Sequence, residues 1–88
     1  MSNGGRSRAD VLVKVREHLS NELEVPLDRI DESTRIREDL DADSLDLYEL
    51  VMELEDTYGV SVSEEEAAKI ETVGQAVEFV AQRLGVGA

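Results

Sequence analysis

Apolar residues recur at the spacing of an α-helix in three separate segments of the chain, and this repetition limits the fold more than any other feature. A helix with one apolar face must bury that face against another element, and three such helices can bury theirs together. The pattern therefore predicts an all-α bundle around a single apolar core. The three sets are Val11, Leu12, Val15 and Leu19; Leu47, Leu50, Val51, Leu54 and Tyr58; and Val73, Ala76, Val77, Val80 and Leu84.

Residues with capping preferences mark the start and the end of the second predicted helix. The first helix is predicted over about 9–23 and the second over about 44–58, with Asp43 as N-cap and Gly59 as stop signal. A long connection joins these two helices, and it contains Pro26, the only proline of the chain.

Capping-box patterns predict two further helix starts. Ser63 and Glu66 begin a short helix, and Thr72 and Gln75 begin the last helix, which Gly85 ends. The predicted fold is therefore a small acidic bundle of three longer helices plus one short helix.

The length of 88 residues allows one domain with a thin core, which favours a surface attachment point over a deep catalytic site. We expect a flexible N-terminal tail over 1–8, a folded domain over 9–85 and a C-terminal tail over 86–88. The chain has no cysteine, and no apolar run approaches the roughly 20 residues of a membrane span. The polar N-terminus is unlike a signal peptide, so we expect a cytoplasmic protein.

The net charge of −12 comes from one central segment. Residues 38–68 contain twelve Asp and Glu residues and no Lys or Arg, whereas the nine acids and nine bases elsewhere cancel. Such a surface repels nucleic acid and attracts basic patches on proteins. The alternative is that the acidity only keeps the chain soluble, although solubility does not require charge segregation.

The predicted second helix carries two apolar stripes. At about 100° of rotation per residue, the second stripe lies roughly 140° around the helix axis from the first. The core stripe is Leu47, Leu50, Val51, Leu54 and Tyr58, and the outer stripe is Leu45, Tyr48 and Met52. A bundle helix needs one apolar face, so the outer stripe favours a docking surface with an apolar centre and a charged rim. The alternative is that loops cover Leu45 and Met52. The acids beside the outer stripe are Asp46, Glu49, Glu53 and Asp56.

Ser44 begins this helix within the sequence Asp-Leu-Asp-Ala-Asp-Ser-Leu-Asp. On the residue pattern alone, Ser44 is more simply a helix cap than a functional group. However, an Asp-Ser-Leu triplet at the start of an acidic helix, with these helices after it, resembles the attachment motif of stand-alone, type II fatty-acid-synthase-like acyl carrier proteins. The similar segments are 39–46, 49–56, 63–70 and 72–73, and the resemblance covers nearly the whole of 11–84.

The resemblance implies a non-catalytic, monomeric carrier, with residues 9–85 as the acyl carrier domain. Ser44 would carry covalent 4′-phosphopantetheine, installed by a phosphopantetheinyl transferase, and the thiol of that arm would carry acyl groups as thioesters. The partners would be fatty acid synthase enzymes or acyltransferases with basic docking patches. A carrier dedicated to a polyketide, lipid or peptide pathway is the alternative.

The resemblance also implies which residues contact partners and acyl chains. Asp41 stands where the family often has glycine, and Leu47 and Tyr48 replace smaller residues, so the enzymes served stay open. The implied acidic docking residues are Asp43, Asp46, Glu49, Glu55 and Asp56, and the apolar ones are Leu45, Tyr48 and Met52. The implied lining of the acyl chain is Val51, Leu54, Val62, Ala67 and Ile70.

Other functions fit the sequence less well. Asp39, Asp41 and Asp43 match three ligand positions of an EF-hand loop, but Ser44 replaces its glycine and Leu50 its bidentate glutamate. No specific metal site is therefore predicted, although weak divalent-ion binding and an unmodified acidic adaptor stay open.

A serine hydrolase would need a base beside Ser44. The only histidine, His18, is predicted to be a structural residue at the edge of the first helix's apolar face.

Overall fold

Residues 7–85 are described by the computed structural model, and they form five α-helices. Helix α1 spans Arg8–Leu23, α2 Ile36–Leu40, α3 Ser44–Tyr58, α4 Glu64–Ala68 and α5 Val73–Leu84. The all-α prediction is confirmed, and the three longer helices are the predicted ones. The structure adds α2, a second short helix in the segment that was predicted to be a connection.

The first helix starts earlier than predicted. Ser7 Oγ accepts a hydrogen bond from the backbone N–H of Asp10 at 3.2 Å, so Ser7 caps α1. Arg8 forms ion pairs with Glu32 at 2.7 Å and Glu78 at 3.2 Å. Ser7 and Arg8 therefore belong to the folded part, which corrects the predicted tail over 1–8. The rest of that tail and the predicted C-terminal tail lie outside the described residues.

The core lies where α1 packs against α5 and α3. Its largest side chains are fully buried aliphatic residues, each of which contributes about 1.5–3 kcal/mol by leaving water. These are Val11, Val15, Leu19, Ile30, Ile36, Leu47, Leu50, Leu54, Val73, Val77 and Val80. Ile30 and Ile36 come from the long connection, which therefore packs as part of the core.

Hydrogen bonds to backbone carbonyls hold the connection in place. Arg16 of α1 donates to the Ile30 carbonyl at 2.6 Å and to the Leu27 carbonyl at 2.7 Å, around a single turn of 3-10 helix. The N–H of Ile36 donates to the Glu71 carbonyl at 2.8 Å, which ties the start of α2 to the segment before α5. These contacts fix where α3 can begin.

Asp41 is the C-cap of helix α2, and its φ of 58° is in the left-handed region. Glycine adopts this conformation without strain, and aspartate tolerates it. The chain then turns through buried Ala42 into α3. Among the described residues, no helix is both long and apolar enough to cross a membrane.

Candidate functional site

The start of α3 is organised by a capping box around Ser44. Asp43 Oδ1 accepts from the Asp46 N–H at 3.0 Å, and Asp46 Oδ2 accepts from the Asp43 N–H at 3.2 Å. The bond from the Asp46 backbone lowers the pKa of Asp43, so this cap is held as a carboxylate. Because Asp43 is the cap, Ser44 is the first helical residue and its side chain is exposed.

Arg37 is the side chain that meets Ser44. Its Nη2 donates to Ser44 Oγ at 2.8 Å. The contact depends on the turn between the two helices, in which α2 ends at Leu40, Asp41 adopts a left-handed backbone and α3 begins at Ser44. Sequence reasoning missed Arg37, since the contact depends on a helix that the apolar pattern did not predict. The available signal was a base seven residues before Ser44, at the edge of an otherwise acidic segment.

The outer stripe of α3 faces outward. Leu45, Tyr48 and Met52 are 62%, 40% and 61% exposed, so loops do not cover them. The acids that flank them are at least partly accessible: Glu53 and Asp56 are exposed, and Asp46 and Glu49 are half-buried. This helix face is therefore an apolar strip between carboxylates.

One predicted docking acid also serves the fold. Glu55 Oε2 accepts a hydrogen bond from the Val62 N–H at 2.8 Å, which ties the loop between α3 and α4 to the helix. The carboxylate is half-buried. Like the capping carboxylate of Asp43, it already has a structural partner within the chain.

Three carboxylates from two helices lie together beside the outer stripe. Carboxylate oxygens of Glu22 on α1 and of Asp46 and Glu49 on α3 are within 4.8 Å of one another. A hydrogen bond with Glu49 is the main reason why the pKa of Glu22 is raised to about 6, and burial and the charges of Glu49 and Asp46 add to it. This cluster, the acidic triad, was not predicted because it depends on how α1 packs on α3.

The predicted acyl-chain residues lie in one apolar cluster. Val51, Leu54, Ala67 and Ile70 are buried and Val62 is partly buried. A surface cavity of about 250 Å³ lies between α2 and the end of α4, and Ile70 borders it. Its other lining residues are Arg35, Arg37, Glu38, Ala68 and Glu71.

Neither the EF-hand loop nor the serine hydrolase site considered from the sequence forms within residues 7–85. Asp39 is bound to Arg35, whose backbone N–H donates to it at 2.9 Å, and Asp43 is in its capping box, so the EF-hand positions do not converge on one point. The hydroxyl of Ser44 meets a guanidinium, a group that only donates hydrogen bonds and therefore cannot act as the base that a nucleophilic serine needs. His18 is half-buried on α1, and its Nε2 has no partner in the described part of the chain.

Known proteins resemble this chain over most of its length. A family model described as a phosphopantetheine attachment site matches residues 13–80. The acyl carrier protein of Lactobacillus acidophilus is 39% identical over 79 residues, which are 90% of this chain and 99% of that protein. The chain belongs to the acyl carrier protein family. The prosthetic group of this family is covalently bound 4′-phosphopantetheine.

Solved acyl carrier proteins share the fold. The protein from Enterococcus faecalis superposes with a TM-score of 0.77 at 42% identity, covering 88% of this chain and 98% of that one. The protein from Thermotoga maritima gives a TM-score of 0.76 at 31% identity, covering 89% and 91%. The helical bundle described above is therefore that of the acyl carrier family.

Proposed function

We propose that this chain carries acyl groups as thioesters on a 4′-phosphopantetheine arm attached to Ser44, in fatty acid biosynthesis. The observation that carries the proposal is the exposed Ser44 hydroxyl at the first residue of α3, 2.8 Å from the Arg37 guanidinium. A modifying enzyme can reach such a hydroxyl, and the helix N-terminus favours the negative charge of a phosphodiester. When bound, the group supplies a thiol, which this cysteine-free chain lacks.

Partner enzymes are proposed to dock on the outer stripe. The exposure of Leu45, Tyr48 and Met52 supports an apolar contact at the centre of the interface, with charge at its rim. The partners would be a phosphopantetheinyl transferase and fatty acid synthase enzymes or acyltransferases with basic patches. The proposed acidic contacts are Asp43, Asp46, Glu49, Glu55 and Asp56, of which Asp56 is exposed and has no structural bond among the described residues.

The acyl chain is proposed to enter the bundle between α3 and α4. The five apolar residues implied by the family resemblance support this route because they form one contiguous cluster. The cavity bordered by Ile70 gives an apolar group access from the side of Arg37. Chain entry would require the side chains of that cluster to separate, since most of them are buried.

A non-catalytic role, a monomeric state and a cytoplasmic location complete the proposal. A carrier for a polyketide, lipid or peptide pathway would use the same attachment site. The two possibilities differ in which enzymes accept the loaded protein.

Intact-mass measurement tests the attachment site. Incubation with a phosphopantetheinyl transferase and coenzyme A is expected to raise the mass once, by one phosphopantetheine group. Ser44→Ala should abolish the increase, and Ser61→Ala, which alters another exposed serine, should leave it unchanged. A modification that persists in Ser44→Ala would refute the assignment.

Supplying the modified protein to purified fatty acid synthase enzymes tests the pathway. Acyl groups that lengthen on the protein would support fatty acid biosynthesis. A protein that is modified on Ser44 but never elongated would assign the carrier to a dedicated pathway.

A further inference from the structure

The Arg37 side chain already occupies the position next to the proposed attachment oxygen. Its Nη2 donates to Ser44 Oγ at 2.8 Å. A phosphorus atom bonded to that oxygen would bring further phosphate oxygens close to the same guanidinium. Arginine suits this role because its planar fork can donate two parallel hydrogen bonds to phosphate.

Arg37 is free to accept an anion, whereas its neighbour Arg35 is not. Arg35 pairs with Glu38 at 2.6 Å and with Asp39 at 3.3 Å. No carboxylate within residues 7–85 forms an ion pair with Arg37. The hydroxyl of Ser44 is thus the hydrogen-bond partner of a positive charge that has no ion-pair partner among residues 7–85.

A phosphate on Ser44 would otherwise meet like charge. Asp43 precedes Ser44 and Asp46 follows it by two residues, and the capping box holds both carboxylates at the start of α3. A phosphate bonded to Ser44 would add negative charge at the same helix start, and charges of the same sign repel one another. The positive end of the α3 dipole and Arg37 are the features that oppose this repulsion.

We propose that Arg37 binds the phosphodiester on Ser44 and thereby positions the arm on the α2 side of the molecule. This inference rests on the proposed function of Ser44. The arm would leave the phosphate beside the cavity between α2 and α4, which Arg37 itself lines. The exposed side chains of Leu45 and Met52 on α3 would then stay available to partner proteins.

Thermal unfolding of unmodified and modified protein tests the interaction as a double cycle. Attaching the group should lower the melting temperature of Arg37→Gln by about 2–4 °C more than that of the wild type at low salt, the size expected for one exposed ion pair in a small domain. The difference should shrink as salt is added. Arg37→Lys should give an intermediate value, because it keeps the charge and loses the fork.

Arg35→Gln is the matched control. It removes the same charge two residues away, from a side chain that is already paired, and should respond to modification as the wild type does. Phosphorus NMR gives a second readout: the phosphodiester resonance should move in modified Arg37→Gln and stay in place in modified Arg35→Gln.

Intact mass separates the two ways of failing. A wild type whose mass does not rise would defeat the proposed function of Ser44. The second failure is one in which the wild type, Arg37→Gln and Arg35→Gln are all modified on Ser44 but show equal melting-temperature changes and the same phosphorus resonance. That result would refute the role of Arg37 and leave the proposed function of Ser44 intact.

Discussion

Helix α3 carries two apolar stripes, of which one is buried in the core and the other is exposed. Leu47, Leu50 and Leu54 of the core stripe are at most 2% exposed, whereas Leu45 and Met52 of the outer stripe are 62% and 61% exposed. Hydrophobicity alone does not distinguish the two sets, because the neighbouring helices α1 and α5 decide which stripe is buried. The comparison teaches that the core stripe holds the fold together, while the outer stripe is free to bind something else.

The largest effect is expected from shortening a side chain of the core stripe. Leu50 is fully buried, so Leu50→Ala should lower the free energy of unfolding by about 2–5 kcal/mol through lost burial and a residual cavity. Met52→Ala, two residues later on the same helix, should change it by less than about 0.5 kcal/mol because that side chain is exposed. Urea denaturation of the two variants measures the difference, and similar losses in both would contradict the division into stripes.

The sequence predicted α3 well and α2 not at all, for physical reasons that these two helices illustrate. The bounds of α3 follow from local signals, since five apolar residues share a face between the caps Asp43 and Gly59. Helix α2 has five residues, too few for a periodic pattern, and it starts where the Ile36 N–H bonds to the Glu71 carbonyl. The formation of α2 depends on contacts between segments that are distant in the sequence, and a local sequence pattern does not reveal such contacts.

The same distinction applies to the candidate site. The position of Ser44 at a helix start and the outward direction of Met52 follow from the spacing within one helix. The bond from Arg37 to Ser44 requires the turn after α2, and the acidic triad requires α1 to pack on α3. The bond between Glu55 and the loop before α4 was likewise not predictable, because loop geometry determines it.

A smaller effect is expected from reversing a charge beside the outer stripe. Glu49→Lys should slow association with the transferase about two- to fivefold at low salt, because a basic partner is steered less strongly. At physiological ionic strength the difference should diminish, since the screening length is about 8 Å. The variant should also melt at a higher temperature than the wild type, because the lysine faces Glu22 and Asp46 instead of adding a third carboxylate.

Stopped-flow binding at two salt concentrations measures the rates, with Glu17→Lys on the exposed side of α1 as a control of equal charge change. Met52→Ala should mainly speed dissociation, with little salt dependence, because its contact is apolar. Glu49→Lys with unchanged association at low salt would show that partners do not approach along the outer stripe.

The smallest effect is expected from Glu22, the α1 member of the acidic triad, and its sign follows from its pKa. The close carboxylate of Glu49 raises the pKa of Glu22 to about 6 in the folded protein, above its usual value of 4.5. Between these two pH values the folded state binds more protons than the unfolded state, so stability falls as the pH rises through this window. Above pH 6 the full repulsion is present.

Glu22→Gln removes that repulsion, so it should raise the melting temperature slightly at pH 7. It should also make the melting temperature depend less on pH between about pH 4.5 and 6. Glu17→Gln removes an equal charge from the same helix outside the triad and should leave the change with pH as it is in the wild type. Asp43 and Glu66, whose pKa values are lowered by backbone hydrogen bonds, lose their stabilising effect only at more acidic pH, so they do not obscure this window. Melting curves at several pH values decide the matter. If the melting temperature of Glu22→Gln still changed with pH as strongly as that of the wild type, repulsion within the acidic triad would not destabilise the packing of α1 on α3. The charged rim of the outer stripe would then have no effect on the stability that the core stripe provides.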